Sequence, residues 1–140
     1  MKLIVHELTG DDLEQVLRSD RRTIVEAVRP HLYRHNFAAG SLQMQIYDGV
    51  TLIAESNVVA ISTIGTENYF HGYVTFLINA VLDKDTDYTF KLTSSGYTFD
   101  EGSYIGWCNG YDLGHYEATY AVVGKLTEPL DLEIWSRSAR

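Results

Sequence analysis

Cysteine, proline and long apolar runs are scarce in this sequence of 140 residues. The single cysteine, Cys108, excludes an intramolecular disulfide, so the fold cannot be built on a disulfide scaffold. No segment approaches the roughly 20 apolar residues of a membrane-spanning helix, and the apolar run near residue 1 is too short for a signal peptide. We therefore expect a soluble protein made in the cytoplasm, with a core large enough to need neither metal nor disulfide.

Basic side chains are also scarce, but only after residue 40. Residues 41–135 contain three basic side chains and thirteen acidic ones, and such an acidic body disfavours nucleic acid, whose binding requires phosphate neutralisation. The first 40 residues contain a locally cationic patch. Its members are Arg18, Arg21, Arg22, Arg29 and Arg34. We predict that this patch binds an acidic partner, which includes a second copy of the chain; a solvated helix face is the alternative.

Residues 9–30 have the pattern of a helix. Thr9 precedes two acids, which is typical of a capped helix start. The following apolar residues recur at helical spacing: Leu13, Val16, Leu17, Ile24, Ala27 and Val28. Pro30 would end such a helix, because proline cannot donate the backbone hydrogen bond. The sequence thus predicts that residues 1–40 form an N-terminal arm and a short helical attachment segment.

After a connector of small residues, the sequence predicts a β-sandwich over residues 41–140. Asp48-Gly49 separates two alternating runs, which is typical of a β-hairpin. The apolar run at 57–64 predicts a buried strand, and alternation from residue 69 predicts a long one. Further strands are predicted from Tyr88 to Leu92 and around residues 104–108, 116–123 and 130–135. About eight antiparallel strands of this kind indicate a jelly-roll-like β-sandwich, mainly β.

Tyr88 follows the polar turn at residues 83–87. A tyrosine at such a place is typical of a corner between two sheets, where its hydroxyl ties down the crossing loop. We therefore predict that the chain changes sheets at this turn.

Two patterns resemble metal sites but are incomplete. His31 and His35 would share one helix face, but no third ligand is apparent. The three aspartates of residues 83–87 imitate the start of a calcium loop, whose required glycine and final acid are replaced by Tyr88 and Ser94. We predict no metal and no cofactor. Nucleophile-elbow, phosphate-loop and metalloprotease motifs are missing too, so we predict no enzymatic activity and no catalytic residues.

Tyrosine is in excess, with ten in the chain. One cluster of aromatics lies beside acids and amides, and its members are Tyr104, Trp107, Tyr111 and Tyr116. Three interpretations stay open for this cluster: core or edge packing, a protein interface, or contact with a glycan. Trp107 shares a strand face with Ile105, which favours the core for that residue.

Several segments together carry a resemblance to a known group. They are Leu-Ile-Ala-Glu-Ser, Tyr-Phe-His-Gly-Tyr-Val-Thr-Phe, Leu-Asp-Lys-Asp-Thr-Asp-Tyr, Gly-Tyr-Thr-Phe, Tyr-Ile-Gly-Trp and Leu-Glu-Ile-Trp-Ser-Arg. The pattern over residues 42–137 resembles the jelly-roll sandwiches of accessory virion proteins of tailed bacteriophages, namely capsid decoration proteins and tail or receptor-binding modules.

This resemblance implies a non-catalytic structural protein of the virion, made in the host cytoplasm. It would contact other virion proteins, form a homo-oligomer and bind neither nucleic acid nor membrane. The same outline is similar to carbohydrate-binding sandwiches of bacterial surface proteins. The alternative expectation is therefore a module that recognises bacterial surface glycan.

Overall fold

The computed structural model describes residues 5–8, 13–36, 39–66, 72–96, 104–108, 120–123 and 132–138. Within these ranges the chain forms twelve β-strands and one short 3₁₀ turn at Ile61–Thr63, without an α-helix. In chain order the strands are β1 (Val5–Leu8), β2 (Leu13–Ser19), β3 (Thr23–His35), β4 (Ser41–Asp48), β5 (Thr51–Glu55), β6 (Val59–Ala60), β7 (Gly72–Tyr73), β8 (Phe76–Leu82), β9 (Asp87–Ser95), β10 (Tyr104–Cys108), β11 (Tyr120–Val123) and β12 (Leu132–Ser138). The described part of the protein is therefore mainly β.

The strands form two antiparallel sheets of six strands each. The first sheet is organised around the long strand β3, which pairs with β7 and β8 along one edge and with β10 and β12 along the other. Strand β1 extends this sheet beyond β10. The second sheet has the order β11, β2, β9, β4, β5, and β6 also pairs with β4.

Four of the strand pairs are nested within one another along the chain. They are β4 with β5, β3 with β8, β2 with β9, and β1 with β10. Successive pairs alternate between the second and the first sheet. The chain is thus arranged as one long hairpin, with its tip at the β4–β5 turn, that is rolled into two layers.

A single apolar cluster fills the space between the two sheets. Its largest fully buried side chains are Trp107 and Phe76 of the first sheet and Phe90 of the second. Alternate residues of β8 and β9 point inward, and their burial follows the period of two that sheet pleating imposes. The packing is that of a β-sandwich, in which each sheet buries one face against the other.

The predicted N-terminal helix is wrong, since residues 13–19 and 23–35 are strands β2 and β3. A β-bulge explains the misleading pattern, because the pairing register of β3 shifts between Val25 and Ala27. Both Val25 and Val28 are fully buried, and this spacing of three imitates a helix face. In β2 the inward positions include polar Gln15 and Ser19, which hides the alternation expected of a strand.

The boundary suggested at residue 40 separates strands that share the same two sheets. Strand β2 pairs with β9 and β11, and β3 is the central strand of the first sheet. Pro30 lies inside β3 instead of ending a helix. Its carbonyl accepts a hydrogen bond of 2.9 Å from the backbone N–H of Val74, at the interruption between β7 and β8.

Two local predictions are confirmed and two are corrected. The Asp48-Gly49 hairpin joins β4 and β5, with Gly49 at φ +60°. Tyr88 is buried, and its hydroxyl accepts a 2.9 Å hydrogen bond from the backbone N–H of Asp83 where the chain crosses between sheets. The strand predicted at 57–64 is reduced to the two residues of β6 and a 3₁₀ turn. The long strand expected from residue 69 is divided, among its described residues, into β7 and β8.

Candidate functional site

Exposed large apolar side chains gather on the outer face of the first sheet. Leu77 is 61% exposed, Val81 47%, Trp135 44% and Tyr73 39%. Exposed apolar residues are ordinary when scattered, but a contiguous group of them marks an interaction surface. We call this group, together with Arg29 at its centre, the docking face.

Strand register brings these residues together from distant parts of the chain. Ala27 of β3 pairs with Leu77 of β8 on one side and with Trp135 of β12 on the other. Three residues earlier on β3, Ile24 pairs with Val81 of β8 and with Arg137 of β12. Directly opposite partners in a sheet lie about 5 Å apart on the same face, so each row is a continuous strip of side chains.

Arg29 fixes the aromatic part of the docking face. Its Nε donates a 3.0 Å hydrogen bond to Thr75 Oγ1, and its Nη1 donates a short charge-assisted hydrogen bond to the Glu133 carboxylate. The guanidinium carbon lies 5.6 Å from the centre of the Tyr73 ring and 5.2 Å from that of Trp135. Both distances are within the range of cation–π attraction. The guanidinium therefore holds one ring on each side.

This arrangement suits a partner-binding surface. Tryptophan, tyrosine and arginine are the side chains most enriched at the energetic centres of protein interfaces. Here one arginine contacts both a tyrosine and a tryptophan on a sheet, and the side chains of Arg29 and Glu133 are only 27% and 21% exposed. A surface whose side chains are already ordered loses less conformational entropy when a partner binds.

A second row of rings continues along β3 beyond the docking face. The His31 ring centre lies 5.2 Å from that of Tyr73, and His35 stacks on Tyr104 at 4.7 Å. Tyr33 is buried on the same face and covers Gly106, where an added Cβ would lie 2.3 Å from the Tyr33 ring. Glycine at 106 thus allows the tyrosine to lie flat on the neighbouring strand.

The arginines predicted to bind a partner each have an intramolecular contact. Arg18 donates to Asp87 at 2.7 Å, Arg22 lies 3.6 Å from Asp83, and Arg21 lies 3.2 Å from Asp20. The hydrogen bond and the negative charge of Asp87 raise the pKa of Arg18 above its ordinary value.

Arg34 donates to the backbone carbonyl of Ile64 at 2.7 Å, and only Arg29 belongs to the docking face. The cationic segment and the acidic turn, which are far apart in sequence, neutralise each other where Arg18 and Arg22 meet Asp87 and Asp83. Arg29 is the member of the predicted patch that the structure brings beside exposed aromatics.

The predicted aromatic cluster is divided by the structure. Trp107 is fully buried in the core and has no surface to offer a ligand. Tyr104 is half-buried, packed between Tyr33 and His35. Tyr111 and Tyr116 lie outside the described residues.

The structure also shows where the residues of the two incomplete metal patterns lie. His31 and His35 lie on one strand, where four residues span about 13 Å, too far for direct ligation of one ion. Asp83 and Asp87 face arginines as described above. Within the ranges that the structure describes, no three histidine, cysteine or acidic side chains are grouped to hold a metal ion.

The outer face of the second sheet is polar at its centre, and its exposed leucine, Leu52, lies on the edge strand β5. Lys91 pairs across the strands with Glu14 and Gln45, and its amine lies 5.7 Å from the centre of the Tyr47 ring. Beside them is a shallow cleft of about 260 Å³, also bordered by Thr89. This volume is below the roughly 300 Å³ at which ligand pockets usually begin.

Comparison with known proteins gives no relative: no family model, no curated protein and no solved structure matches this chain. Among the described residues, no helix has the length and apolar character needed to cross a membrane. The function must therefore be argued from the surface itself.

Sequence reasoning missed Tyr73, Leu77, Glu133 and Trp135 as site residues. The signal was present in the alternation that predicted β8 and β12. Leu77 and Val81 of β8 and Trp135 of β12 fall on the side of their strands that faces away from the core, where a large apolar residue has no core to enter.

Proposed function

We propose that this chain is a non-catalytic structural protein that acts through protein–protein contacts made by its docking face. The observation that carries the proposal is the ordered contact of Tyr73, Arg29 and Trp135 beside the exposed Leu77. Fully burying a large apolar side chain contributes roughly 1.5–3 kcal/mol, so covering the exposed parts of Leu77 and Trp135 gives about half of that for each.

The setting that we propose is a tailed-bacteriophage particle, in which the chain is a capsid decoration protein or a tail accessory protein. Support comes from the sequence resemblance described above and from the strand order. We propose that β1, β10, β3 and β8 face β2, β9, β4 and β5 as the eight strands of a jelly roll. The nested pairing of these strands favours that topology. Jelly rolls are common in viral capsid domains and in lectins.

The proposal is tested by separating the source culture into free protein and intact virions on a density gradient. We expect the chain to sediment with virions in fixed stoichiometry. The Leu77→Ser and Trp135→Ala variants should stay with the free protein, because they remove the apolar contact. Val50→Ser is the matched control, since Val50 is 98% exposed at the β4–β5 turn, outside the docking face. A wild-type chain that never sediments with particles would reject the virion setting.

Recognition of bacterial surface glycan is the second candidate function. The observation that favours it is the cleft beside Glu14, Tyr47, Thr89 and Lys91, which combines an aromatic ring with hydrogen-bonding groups. Such a combination suits one sugar unit, whose apolar face contacts the ring. Titration of the folded chain with purified surface polysaccharide tests this function. We expect Tyr47→Ala to abolish binding and Trp135→Ala to leave it unchanged. If both variants still bind the polysaccharide, this site is rejected.

A further inference from the structure

We infer that the docking face binds a second copy of this chain, in a two-fold symmetric dimer centred on Trp135. The inference rests on the proposed function, because it names the partner of the same face. It assigns the predicted homo-oligomer to a specific surface. The two β12 strands would lie face to face and antiparallel, with Trp135 of each protomer at the symmetry axis.

Charge order along β12 makes this face complementary to itself. Its outward side chains are Glu133, Trp135 and Arg137, so an acid and a base stand two residues to either side of the tryptophan. In the antiparallel arrangement Glu133 faces the partner's Arg137, and the symmetry repeats the contact. A two-fold interface requires this kind of self-complementarity.

The intramolecular ion pairs extend this complementarity. Within one protomer Glu133 contacts Arg29, and Arg137 donates to Glu26 at 2.9 Å. Facing protomers would therefore align four charges of alternating sign, from Arg29 through Glu133 to the partner's Arg137 and Glu26. Like charges meet nowhere in this row, and opposite charges across an interface fix its register.

The net charge of the chain also favours the docking face as the site of self-association. The chain carries a formal charge of −8, so two copies repel each other over most of their surface. Among the residues that the structure describes, the charged side chains around the docking face are two arginines and two glutamates, and they balance. An equally acidic copy can approach this surface without that repulsion.

The size of the face predicts a weak dimer. Three strands at about 4.8 Å spacing and seven residues of β8 give a patch about 14 Å wide and about 23 Å long. This is well below the roughly 800 Å² per partner of a stable interface. We therefore expect association that depends on concentration and that a particle would reinforce by presenting many copies.

Pairing through the edge strand β5 is the competing way to associate. That strand also exposes apolar side chains, with Leu52 and Ile53 each 40% exposed. However, the register shifts between its pairs Ile46–Ala54 and Tyr47–Leu52, which leaves Ile53 as an extra residue. Bulges of this kind twist an edge away from a would-be partner strand.

Sedimentation velocity of the full chain, from micromolar to millimolar concentration at low salt, tests the inference. We expect the mass to rise from 15.8 kDa toward twice that value. Trp135→Ser and Leu77→Ser should each raise the dissociation constant at least tenfold, which corresponds to about 1.4 kcal/mol. Arg137→Glu should also weaken the dimer, and high salt should reduce the difference from wild type.

Two controls separate the face from the rest of the molecule. Lys84→Glu changes the net charge as much as Arg137→Glu does, but Lys84 lies in the exposed turn after β8. It therefore measures only the general repulsion between copies, and we expect a smaller effect than that of Arg137→Glu. Val50→Ser and Ile53→Ser should leave the dimer intact. Thermal unfolding of each variant shows whether the fold is retained.

A chain that stays monomeric throughout, or a dimer that is weakened by Ile53→Ser and not by Trp135→Ser, would overturn the inference. Failure of the dimer is distinguishable from failure of the proposed function. A monomeric chain whose Trp135 variant no longer sediments with virions retains the docking function and identifies the partner as a different protein.

Discussion

The two outer faces of this sandwich have the same architecture and differ in the side chains at their centres. On the second sheet the outward side chains are mostly charged or amide groups such as Glu14, Gln45 and Lys91. On the first sheet they include Leu77 and Trp135, which remain 61% and 44% exposed. Both faces cover the same core, so packing alone does not account for the difference.

The comparison teaches that a central cluster of exposed apolar side chains is a property of one surface, since the exposed Leu52 and Ile53 of the second sheet lie on its edge strand β5. A two-layer sandwich requires only that each sheet bury one face, and the polar second sheet meets that requirement. The apolar outer face of the first sheet adds nothing to that burial. We attribute it to association with a partner.

The largest expected effect concerns the two tryptophans of the chain, of which one lies in the core and the other on the outer face. Trp107 is fully buried, so Trp107→Ala should cost about 3–5 kcal/mol of unfolding free energy through the cavity it leaves. Trp135→Ala should cost about 1–2 kcal/mol, because the ring is only partly buried and loses its contact with Arg29. Urea unfolding of both variants measures the difference. Equal losses would contradict the assignment of Trp135 to the outer face.

A second prediction concerns the tyrosine layer on the first sheet. Gly106→Ala would place a Cβ 2.3 Å from the Tyr33 ring, and we expect a loss of about 1–3 kcal/mol as the ring is displaced. The matched change is Gly72→Ala on the opposite side of β3, where an added Cβ meets nothing within 4 Å. That variant should stay within about 0.5 kcal/mol of wild type. If thermal unfolding finds both glycines equally tolerant, Tyr33 does not lie over Gly106.

The smallest expected effect is a difference in stability between variants of two arginines, Arg29 and Arg137, on the docking face. Arg29→Met removes a partly buried ion pair and the cation that two rings share, and we expect a loss of about 1–2 kcal/mol. Arg137→Met removes an ion pair whose side chains are 60% and 55% exposed, and should cost less than about 0.5 kcal/mol.

Near-ultraviolet circular dichroism gives an independent measure of the same pair of variants. Loss of ring ordering should change the aromatic signal in the Arg29 variant and not in the Arg137 variant. Identical spectra for the two variants would show that Arg29 does not order the rings.

Much of the later part of the fold was predictable from alternation and turn chemistry. Strands β8, β9, β10 and β12 have inward apolar residues at period two, and Asp48-Gly49 supplies the left-handed backbone that its turn needs. Tyr88 was recognisable as a corner because it follows a polar turn. These features depend on a few neighbouring residues, which a sequence pattern contains.

The N-terminal strands were not predictable in the same way. A bulge in β3 changes the phase of burial between Val25 and Val28, and buried Gln15 and Ser19 interrupt the pattern of β2. Both effects depend on pairing with strands far along the chain, such as β8 and β9. A local sequence pattern contains no information about those partner strands. The helical interpretation therefore fitted the pattern of residues 9–30 as well as a strand did.

Only part of the candidate site could be predicted from the sequence. Arg29 was part of the predicted cationic patch, but its neighbours Tyr73 and Trp135 come from residues more than 40 and 100 positions away. Only strand register brings them together. The alternation nevertheless places Leu77, Val81 and Trp135 on the side of their strands that faces away from the core.

Acrylamide quenching of tryptophan fluorescence tests the central claim most directly, because only two tryptophans contribute and one of them is buried. In dilute solution we expect one accessible tryptophan, Trp135, whose signal the Trp135→Phe variant removes. As the chain associates, whether with itself or with virions, that accessible component should become protected while Trp107 stays unchanged. An accessible fraction that remains constant through association would contradict the account, because the partner would then bind elsewhere.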